Sequence, residues 1–302
     1  MKKIRINSEF ASEIVCAVPY AYWLHKNDML EKVVTTKDMK PFYYFCDNVS
    51  EEINNRTINN DVSGLNDLPN NWIHGINPGE EPGVLDYSEW EAPPYAEYYK
   101  TDKFEYLEPY VVINHNYNQE FGRDISKSLR YFDIKTLSNL FDYFNELGYN
   151  VIYKRPNNTE FSLDENEINT LSKKYILEAD VEDIGIISDY ELTNYYDNVY
   201  LIDDIVNDCD MSYNETQLKL FSSAKGFITT NGGGAMLCGY FKKPVIVYVP
   251  DGKELRKNYL DNKKSYFRKL SGCDVYPVLD SGNTNDYSKV IKKVKEVFNE
   301  TN

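Results

Sequence analysis

Hydrophobic and polar positions form their clearest pattern between residues 226 and 250. Phe227–Thr230 is a β-branched and aromatic run, which ends at an asparagine followed by three consecutive glycines. Residues 235–241 have a helical pattern, and Val245–Val249 is an unbroken apolar run of the kind found in strands covered on both faces. The stretch therefore predicts a strand, a glycine turn, a helix and a second strand.

The alternation of strand and helix patterns continues from residue 110 to the end of the chain. Further strand patterns occur at residues 110–114, 151–153, 199–202 and 275–279. Helical patterns occur at 134–147, where Asp133 and Gly148 are suited to cap the helix, from Asn214, at 253–270 and at 287–298. We predict an α/β fold with a doubly wound parallel sheet, which binds its ligands at the carboxyl ends of the strands.

The N-terminal part predicts a smaller α/β unit. A strand pattern at residues 3–7, a helix that Pro19 should kink or divide, and a strand at 33–36 make a βαβ opening. Residues 47–99 are polar but rich in aromatic side chains, which in a long segment without periodicity favours a functional loop. Because a strong strand begins at residue 110, we predict two domains, 1–105 and 106–302, with a cleft between them.

Charge and composition restrict the partners of the chain. Its 33 basic and 48 acidic side chains give a formal net charge of −15, which repels nucleic acid and anionic membranes. No apolar run is long enough to span a bilayer, and the amino terminus lacks the apolar core of a signal peptide. The five cysteines form neither a CxxC motif nor a Cys/His cluster, so reduced thiols in the cytoplasm are expected.

Two groups at predicted strand ends are suited to bind phosphate. Three glycines between a strand and a helix, Gly232, Gly233 and Gly234, let a ligand approach the backbone and direct N–H groups toward an anion. Lys154 and Arg155 follow another strand and could neutralise a diphosphate. A plain βα turn and a solvated strand end are the alternatives, but both groups in one domain favour the diphosphate. The turn matches neither a Walker A loop nor a GxGxxG fingerprint.

Other polar residues have weaker patterns. Asn214 and Gln217 could contact a ribose or sugar, but Asn-x-x-Gln before an apolar helix is also a capping box, which we favour. Asn231 belongs to the glycine turn and shares its assignment to the donor. Asp208 and Asp210 match the acidic pair that holds a divalent metal in some sugar transferases, although such pairs arise readily in an acidic chain. We therefore expect no metal.

Two of the three histidines and two carboxylates are candidates for contact with the reacting groups. His25 is expected to be structural or exposed, whereas His115 ends a strand and could contact the donor. His74 lies in the aromatic loop, where a group that titrates near neutrality could take a proton from an acceptor hydroxyl. Glu9 and Glu13 follow the first strand and are the alternative bases. For each histidine, a purely structural role is the competing interpretation.

Several motifs together resemble a known family. The two-part α/β layout, the KRP motif at residues 154–156 and the TNGGG motif at 230–234 resemble GT-B fold glycosyltransferases. The motifs EFA at 9–11, PYAYWLH at 19–25 and WEAPPY at 90–95 are similar to those of small xylosyltransferase-like enzymes of large algal viruses. The resemblance implies two Rossmann-like domains, with a nucleotide-sugar donor in the C-terminal one and a glycan acceptor in the N-terminal one.

The resemblance also implies a glycosyltransferase that requires no metal and no other cofactor. It would move a sugar such as xylose from a UDP-sugar to a glycan, in the host cytoplasm if the chain is viral. If the reaction is inverting, as we expect, it also needs one base beside the acceptor hydroxyl. Trp90 and Tyr95, together with Tyr20 and Trp23, would pack against the acceptor sugar. Two alternatives stay open: a glycan- or nucleotide-binding protein without turnover, and a sugar-nucleotide epimerase of the same fold.

Overall fold

The computed structural model describes residues 1–56, 85, 87–115, 131–155, 162–163, 177–182, 185–250, 252–272, 274–282 and 284–299. The strands are β1 (Lys2–Arg5), β2 (Leu30–Thr36), β3 (Val49–Ile53), β4 (Asn55–Arg56), β5 (Tyr110–Asn114), β6 (Asn150–Lys154), β7 (Ser162–Leu163), β8 (Glu178–Val181), β9 (Gly185–Ser188), β10 (Val199–Leu201), β11 (Phe227–Thr230), β12 (Val245–Val249) and β13 (Val275–Leu279). The α-helices are α1 (Phe10–Ser12), α2 (Val18–Lys26), α3 (Tyr95–Tyr98), α4 (Ile134–Glu146), α5 (Asp189–Thr193), α6 (Ile202–Asn207), α7 (Tyr213–Ser223), α8 (Gly233–Cys238), α9 (Tyr266–Ser271) and α10 (Ser288–Asn299).

The N-terminal residues form a sheet of three parallel strands in the order β1, β2, β3. Between β1 and β2 the chain is helical, from α1 through a π-helical turn, Glu13–Ala17, to α2, so the predicted βαβ opening is confirmed. Pro19 lies in the first turn of α2, where a missing N–H is tolerated. The helical hydrogen bonding changes from π to α just before this proline, but the chain stays helical through it, so the helix is not divided in two.

The larger sheet has six parallel strands in the order β10, β6, β5, β11, β12, β13. β11 and β12 pair in register from Phe227 and Val245 onward, and α8 connects them, which confirms the predicted strand, turn, helix and strand. Every residue of these two strands is buried, as expected when helices cover both faces of a sheet. The predicted parallel α/β sheet is therefore observed.

Alternate side chains of the larger sheet face two apolar clusters. Val112 and Ile152 belong to the first cluster, with residues of α7, α8 and α9. Val111 and Tyr153 belong to the second cluster, with residues of α4 and α10. The predicted N-cap of α4 is confirmed, because Asp133 accepts a hydrogen bond from the Thr136 N–H at 2.7 Å. Helices thus lie on both faces of the sheet.

The N-terminal sheet and the larger sheet share the first cluster. Ile4, Ile14 and Val33 belong to the same group of contacting buried side chains as Val112 and Val247. The two parts therefore bury apolar surface against each other, which stabilises their association in water. The boundary near residue 105 and the cleft stay predictions.

Three features differ from the sequence-based expectations. The helix predicted from Asn214 begins earlier, because Ser212 is the N-cap and accepts a bond from the Glu215 N–H at 3.3 Å. The segment predicted as helical at 253–270 contains only a 3-10 turn, Lys253–Leu255, and most of α9. An antiparallel hairpin of β8 and β9 was not predicted.

Candidate functional site

The larger sheet changes its direction of winding between β5 and β11. From β5 the chain continues to β6 and β10 on one side, whereas from β11 it continues to β12 and β13 on the other. In doubly wound sheets such a switch point opens a crevice at the carboxyl ends of the two strands, where ligands bind. The candidate site is therefore the edge at which Asn114 ends β5 and the glycine turn follows β11.

Asn114 connects three parts of this edge. Its side-chain nitrogen donates to Thr229 Oγ1 on β11 at 3.2 Å, and its side-chain oxygen accepts from Lys154 Nζ on β6 at 3.1 Å. The same nitrogen lies against Gly234, where a Cβ atom would be 2.4 Å from it. Sequence reasoning missed Asn114 as a site residue, although a polar residue at the end of an apolar strand was a usable signal.

Lys154 is a buried cation at this edge. The residue is 9% exposed, Asn114 is its hydrogen-bond partner, and no carboxylate of the described residues lies within ion-pair distance of it. An ammonium has three donors, so further donors are available to a ligand. Burial lowers the pKa of Lys154, and the nearby Cys238 and Asp203 oppose this shift. A buried ammonium without a paired carboxylate favours an anionic ligand.

Arg155 points to the opposite face of the sheet, because successive side chains of a strand alternate. Its Nη1 donates to Asp189 Oδ1 at 2.6 Å, and both side chains are almost fully buried. The guanidinium carbon lies 4.6 Å from the centre of the Tyr190 ring. The structure therefore gives Arg155 a carboxylate partner within the fold. It does not place Arg155 beside Lys154 to bind a diphosphate together, as was predicted.

His115 lies on the same face as Arg155 and is 1% exposed. Its Nε2 accepts a bond from the Phe132 N–H at 3.4 Å, and its Nδ1 is 3.4 Å from the Tyr153 hydroxyl, which donates to Asp189 at 2.6 Å. Burial, and next the charge of Arg155, lower the pKa of His115 to about 3. The imidazole is therefore neutral and interior, and this burial speaks against the predicted contact with a donor.

The glycine turn lies against other parts of the chain. A Cβ atom at Gly233 would be 2.7 Å from Phe10 Cδ1, and one at Gly234 would meet Asn114. Gly232 has a φ of 138°, a conformation that favours glycine. The glycines were predicted to let a ligand approach, whereas the structure shows that they let Phe10 and Asn114 approach. All three glycines are partly exposed, so the N–H groups at the start of α8 stay the candidate phosphate contacts.

Asn214 and Gln217 lie near the start of α7 and are buried. The backbone N–H and the side-chain nitrogen of Asn214 donate to Asp38, at 3.0 and 2.7 Å, and its side-chain oxygen accepts from Gln217. The pair thus joins α7 to the loop after β2 and does not form the predicted capping box. Gln217 Oε1 is buried without a hydrogen-bond partner among the described residues. Asn231 is buried too, and its N–H donates to Tyr248 O at 2.9 Å.

Glu13 lies in the π-helical turn and is fully buried. One of its carboxylate oxygens accepts from Thr35 Oγ1 at 2.6 Å and from the Tyr43 hydroxyl at 2.9 Å, and the other accepts from Arg56 Nη1 at 2.6 Å. Because this carboxylate has three partners within the fold, its surroundings speak against the predicted role as base. Glu9 is partly exposed just before α1 and stays a predicted base.

The carboxyl ends of β1 and β2 lie toward the switch-point edge. Phe10, after β1, contacts the glycine turn, and Asp38, after β2, binds the start of α7. Ser8 Oγ and Thr36 Oγ1, at these two strand ends, are buried and have no hydrogen-bond partner in the part of the chain that the structure describes. Buried polar atoms are usually hydrogen-bonded, so a polar ligand is one means of satisfying them.

The predicted acceptor residues divide into two groups. Tyr95 is fully buried, with its hydroxyl donating to Phe42 O at 2.6 Å, and Tyr20 is 2% exposed. Packing in the core therefore replaces the predicted sugar contact at both tyrosines. Trp23, which stacks on Tyr20, and Trp90 are partly exposed and can still contact a ligand.

The remaining predicted residues either lie outside the described residues or are exposed, so they add no contact to this edge. His74 lies outside the described residues, so its assignment as base stays a prediction. His25 is exposed, and so are Asp208 and Asp210. In the described ranges, no group of three or more His, Cys, Asp or Glu side chains is placed to hold a metal ion. The helices of those ranges include none with the length and apolar character needed to cross a membrane.

No protein-family model and no curated protein matches the chain. Among solved structures it is similar to the bacterial iron-containing dodecameric glycosyltransferase TibC from enterotoxigenic E. coli, with 14% identity, a TM-score of 0.37, and coverage of 82% of this chain and 57% of that one. It is also similar to the wall teichoic acid polymerase TagF, with 15% identity, a TM-score of 0.25, and coverage of 68% and 40%. The chain thus spans little more than half of the first protein and less than half of the second.

Proposed function

We propose that this chain is a glycosyltransferase that binds a nucleoside-diphosphate sugar at the switch point of its larger sheet. The observation that carries the proposal is Lys154, a buried ammonium at that point without an ion-pair partner among the described carboxylates. In the interior a charge is stabilised by an opposite charge and by hydrogen bonds. A diphosphate supplies both, because it is polyanionic and rich in acceptor oxygens.

Departure of the diphosphate is the step that this edge is suited to promote. As the bond between the anomeric carbon and the diphosphate oxygen breaks, negative charge develops on the leaving group. Lys154, positioned by Asn114, and the N–H groups of Gly233 and Gly234 would stabilise that charge. These groups act without a divalent metal, so we propose a metal-independent reaction. From the sequence resemblance we take UDP as the nucleotide and xylose as the first sugar to test.

The acceptor would bind between this edge and the carboxyl ends of β1 and β2, where Ser8 and Thr36 have buried oxygens available. Glu9 or His74 would take the proton from an acceptor hydroxyl, whose oxygen attacks the anomeric carbon opposite the diphosphate. UDP then leaves with the bonding electron pair, and the configuration inverts. Arg56 donates to Ser8 O at 2.8 Å and so positions this loop.

One observation favours a second candidate, which is binding of a nucleotide sugar or glycan without turnover. Glu13 and His115 are buried and hydrogen-bonded within the fold, and neither is placed to receive a proton from an acceptor. Without Glu9 or His74 as base, the same edge would bind a donor and not transfer its sugar.

Incubation with UDP-sugars and a panel of glycans tests these candidates. A thermal-shift screen first identifies the donor, because a ligand specific to the native state raises the melting temperature. Release of UDP that requires an acceptor supports a transferase. Binding without release supports the second candidate, interconversion of UDP-sugars supports an epimerase, and the absence of any binding contradicts the proposal.

A further inference from the structure

Residues 253–270, here called the basic segment, have a charge opposite to that of the whole protein. They contain seven Lys or Arg and two Asp or Glu, a net charge of +5 in a chain whose formal charge is −15. A local field of this sign attracts anions at short range, even when the distant surface is acidic, because salt screens the distant charges. The segment is therefore a candidate surface for an anionic partner.

The structure separates the apolar and the cationic side chains of the basic segment. Tyr259, Leu260, Tyr266, Phe267 and Leu270 are buried in the first apolar cluster. The cationic side chains at positions 256, 257, 263, 264 and 269 are exposed. The charged side of the segment therefore faces water, and its exposed side chains include no large apolar group that could insert into a bilayer.

Three of the exposed cations lack an ion-pair partner within the described part of the chain. Lys257, Lys263 and Lys269 form no ion pair with any carboxylate of the described residues, whereas Arg268 pairs with Asp274 at 2.9 Å. Exposed ammonium groups of this kind are free to move toward an anion, and they gain from its approach at low salt.

Aromatic side chains adjoin one of these cations, Lys269, and the backbone of the segment at residue 264. The Tyr87 hydroxyl donates to Lys264 O at 2.7 Å, and Lys269 Nζ lies 5.2 Å from the centre of the Tyr87 ring. Tyr87 in turn packs edge-on against Trp90, with ring centres 5.1 Å apart, and both rings are partly exposed. Aromatic faces pack against the C–H faces of sugar rings, so the surface combines a sugar contact with a set of cations.

The basic segment also lies near the proposed donor site. A Cβ atom at Gly239 would be 3.3 Å from Phe267, so the segment packs at the end of α8. Gly233 at the other end of α8 belongs to the glycine turn, and six helical residues span about 9 Å. A polymer bound on the segment is therefore within a few sugar lengths of the donor edge.

We propose that the basic segment, with Tyr87 and Trp90, binds an anionic glycan whose sugars carry carboxylates or phosphates. One part of this proposal, that the bound glycan is the acceptor, rests on the proposed transferase activity. Binding of the glycan does not depend on that activity. Lys257, Lys263 and Lys269 meet the anionic groups, and the two aromatic rings meet the sugar faces. A glycan is favoured over a lipid surface, because the apolar side chains of the segment are buried or partly buried and most of its exposed side chains are cationic.

Calorimetric titration with an oligogalacturonate, and with a neutral oligoglucan of the same length, tests the proposal. The test variant is Lys263→Glu with Lys269→Glu, and the control is Lys292→Glu with Lys295→Glu on α10. The two pairs match, because each has one exposed lysine with no ion pair to a described carboxylate and one lysine that lies over a tyrosine ring. Both variants change the net charge equally, and circular dichroism checks that each remains folded.

We expect the oligogalacturonate to bind more tightly than the neutral oligomer, and less tightly as salt rises. The test variant should lose about 10- to 30-fold in affinity and the control less than about twofold. Equal binding of both oligomers, equal losses in both variants, or no binding would overturn the proposal. Binding to phosphatidylglycerol vesicles without binding to the oligogalacturonate would overturn it in favour of a lipid surface.

The affinity for UDP separates this proposal from the proposed function. The test variant should bind UDP as the wild type does, because its changes lie outside the donor edge. If the oligogalacturonate binds but UDP does not, the glycan surface stands and the transferase proposal fails. If UDP binds and is released with a neutral acceptor only, the transferase stands and the anionic acceptor is wrong.

Discussion

Replacement of Lys154 by methionine tests the proposed donor site with little change of shape. Methionine keeps a long side chain but removes the charge and the donors. A hydrogen bond involving a charged group contributes about 1.5–3 kcal/mol, and each ~1.4 kcal/mol is tenfold in affinity. We therefore expect Lys154→Met to weaken UDP binding about 10- to 150-fold. Stability should change little, because the lost hydrogen bond to Asn114 is offset by the removal of a charge that burial disfavours.

Calorimetric titration with UDP measures the affinity, and urea unfolding of the same samples measures the stability. Lys219→Met is the control for the loss of one positive charge, because Lys219 is a partly exposed lysine on α7 that pairs with Glu215 at 2.8 Å. Wild-type affinity should also decrease as pH rises through the lowered pKa of Lys154, since only the charged ammonium attracts a diphosphate. This pH dependence should be absent from Lys154→Met.

Unchanged UDP affinity in Lys154→Met would refute the reasoning, because it would place any bound diphosphate away from this ammonium. Equal losses in the two variants would show that UDP responds to net charge and not to a contact. A loss of stability as large as the loss of binding energy would show that Lys154 supports the fold.

Three further predictions concern the surroundings of this edge. Arg155→Met should lower the free energy of unfolding in urea by about 3–5 kcal/mol, because Asp189 would stay buried without its partner; a loss below about 1 kcal/mol contradicts this. Gly234→Ala should lower the free energy of unfolding by about 1–3 kcal/mol in the same assay and weaken UDP binding, since its Cβ would lie 2.4 Å from Asn114 Nδ2. Wild-type stability and UDP affinity in this variant would contradict that packing. Burial lowers the pKa of His115 from 6.5 to about 3, so only the unfolded chain takes up this proton between those values. Its contribution to the free energy of unfolding is thus lost as pH falls through that window, by at most about 1.4 kcal/mol per pH unit. The free energy of unfolding of His115→Asn should therefore decline less steeply with falling pH than that of the wild type, and equal slopes would contradict this.

The strands of the larger sheet could be predicted because burial on both faces leaves continuous apolar runs. Phe227–Thr230, Val245–Val249 and Val275–Leu279 have the bounds that the pattern indicates. The start of α4 was predictable for a local reason too, since Asp133 caps the helix by accepting from the N–H of Thr136, only three residues away. Features determined by neighbouring residues were therefore found from the sequence.

The site was harder to predict, because it depends on side-chain direction and on distant partners. Lys154 and Arg155 are adjacent, but alternation along a strand directs them to opposite faces, a signal that sequence reasoning left unused. Asp189 lies 34 residues from Arg155, and Arg56 lies 43 residues from Glu13. No local pattern identifies such pairs. Arg155 and Glu13 were therefore predicted as site residues from their side-chain chemistry, although the structure buries both with partners within the fold.

A crystal structure of the protein with UDP tests the central claim most directly. The account predicts both phosphates at the edge between β5 and β11, with oxygens about 2.7–3.2 Å from Lys154 Nζ and from the N–H groups of Gly233 and Gly234. Phosphates bound at another part of the surface, or no nucleotide at this edge when UDP saturates the protein, would contradict it.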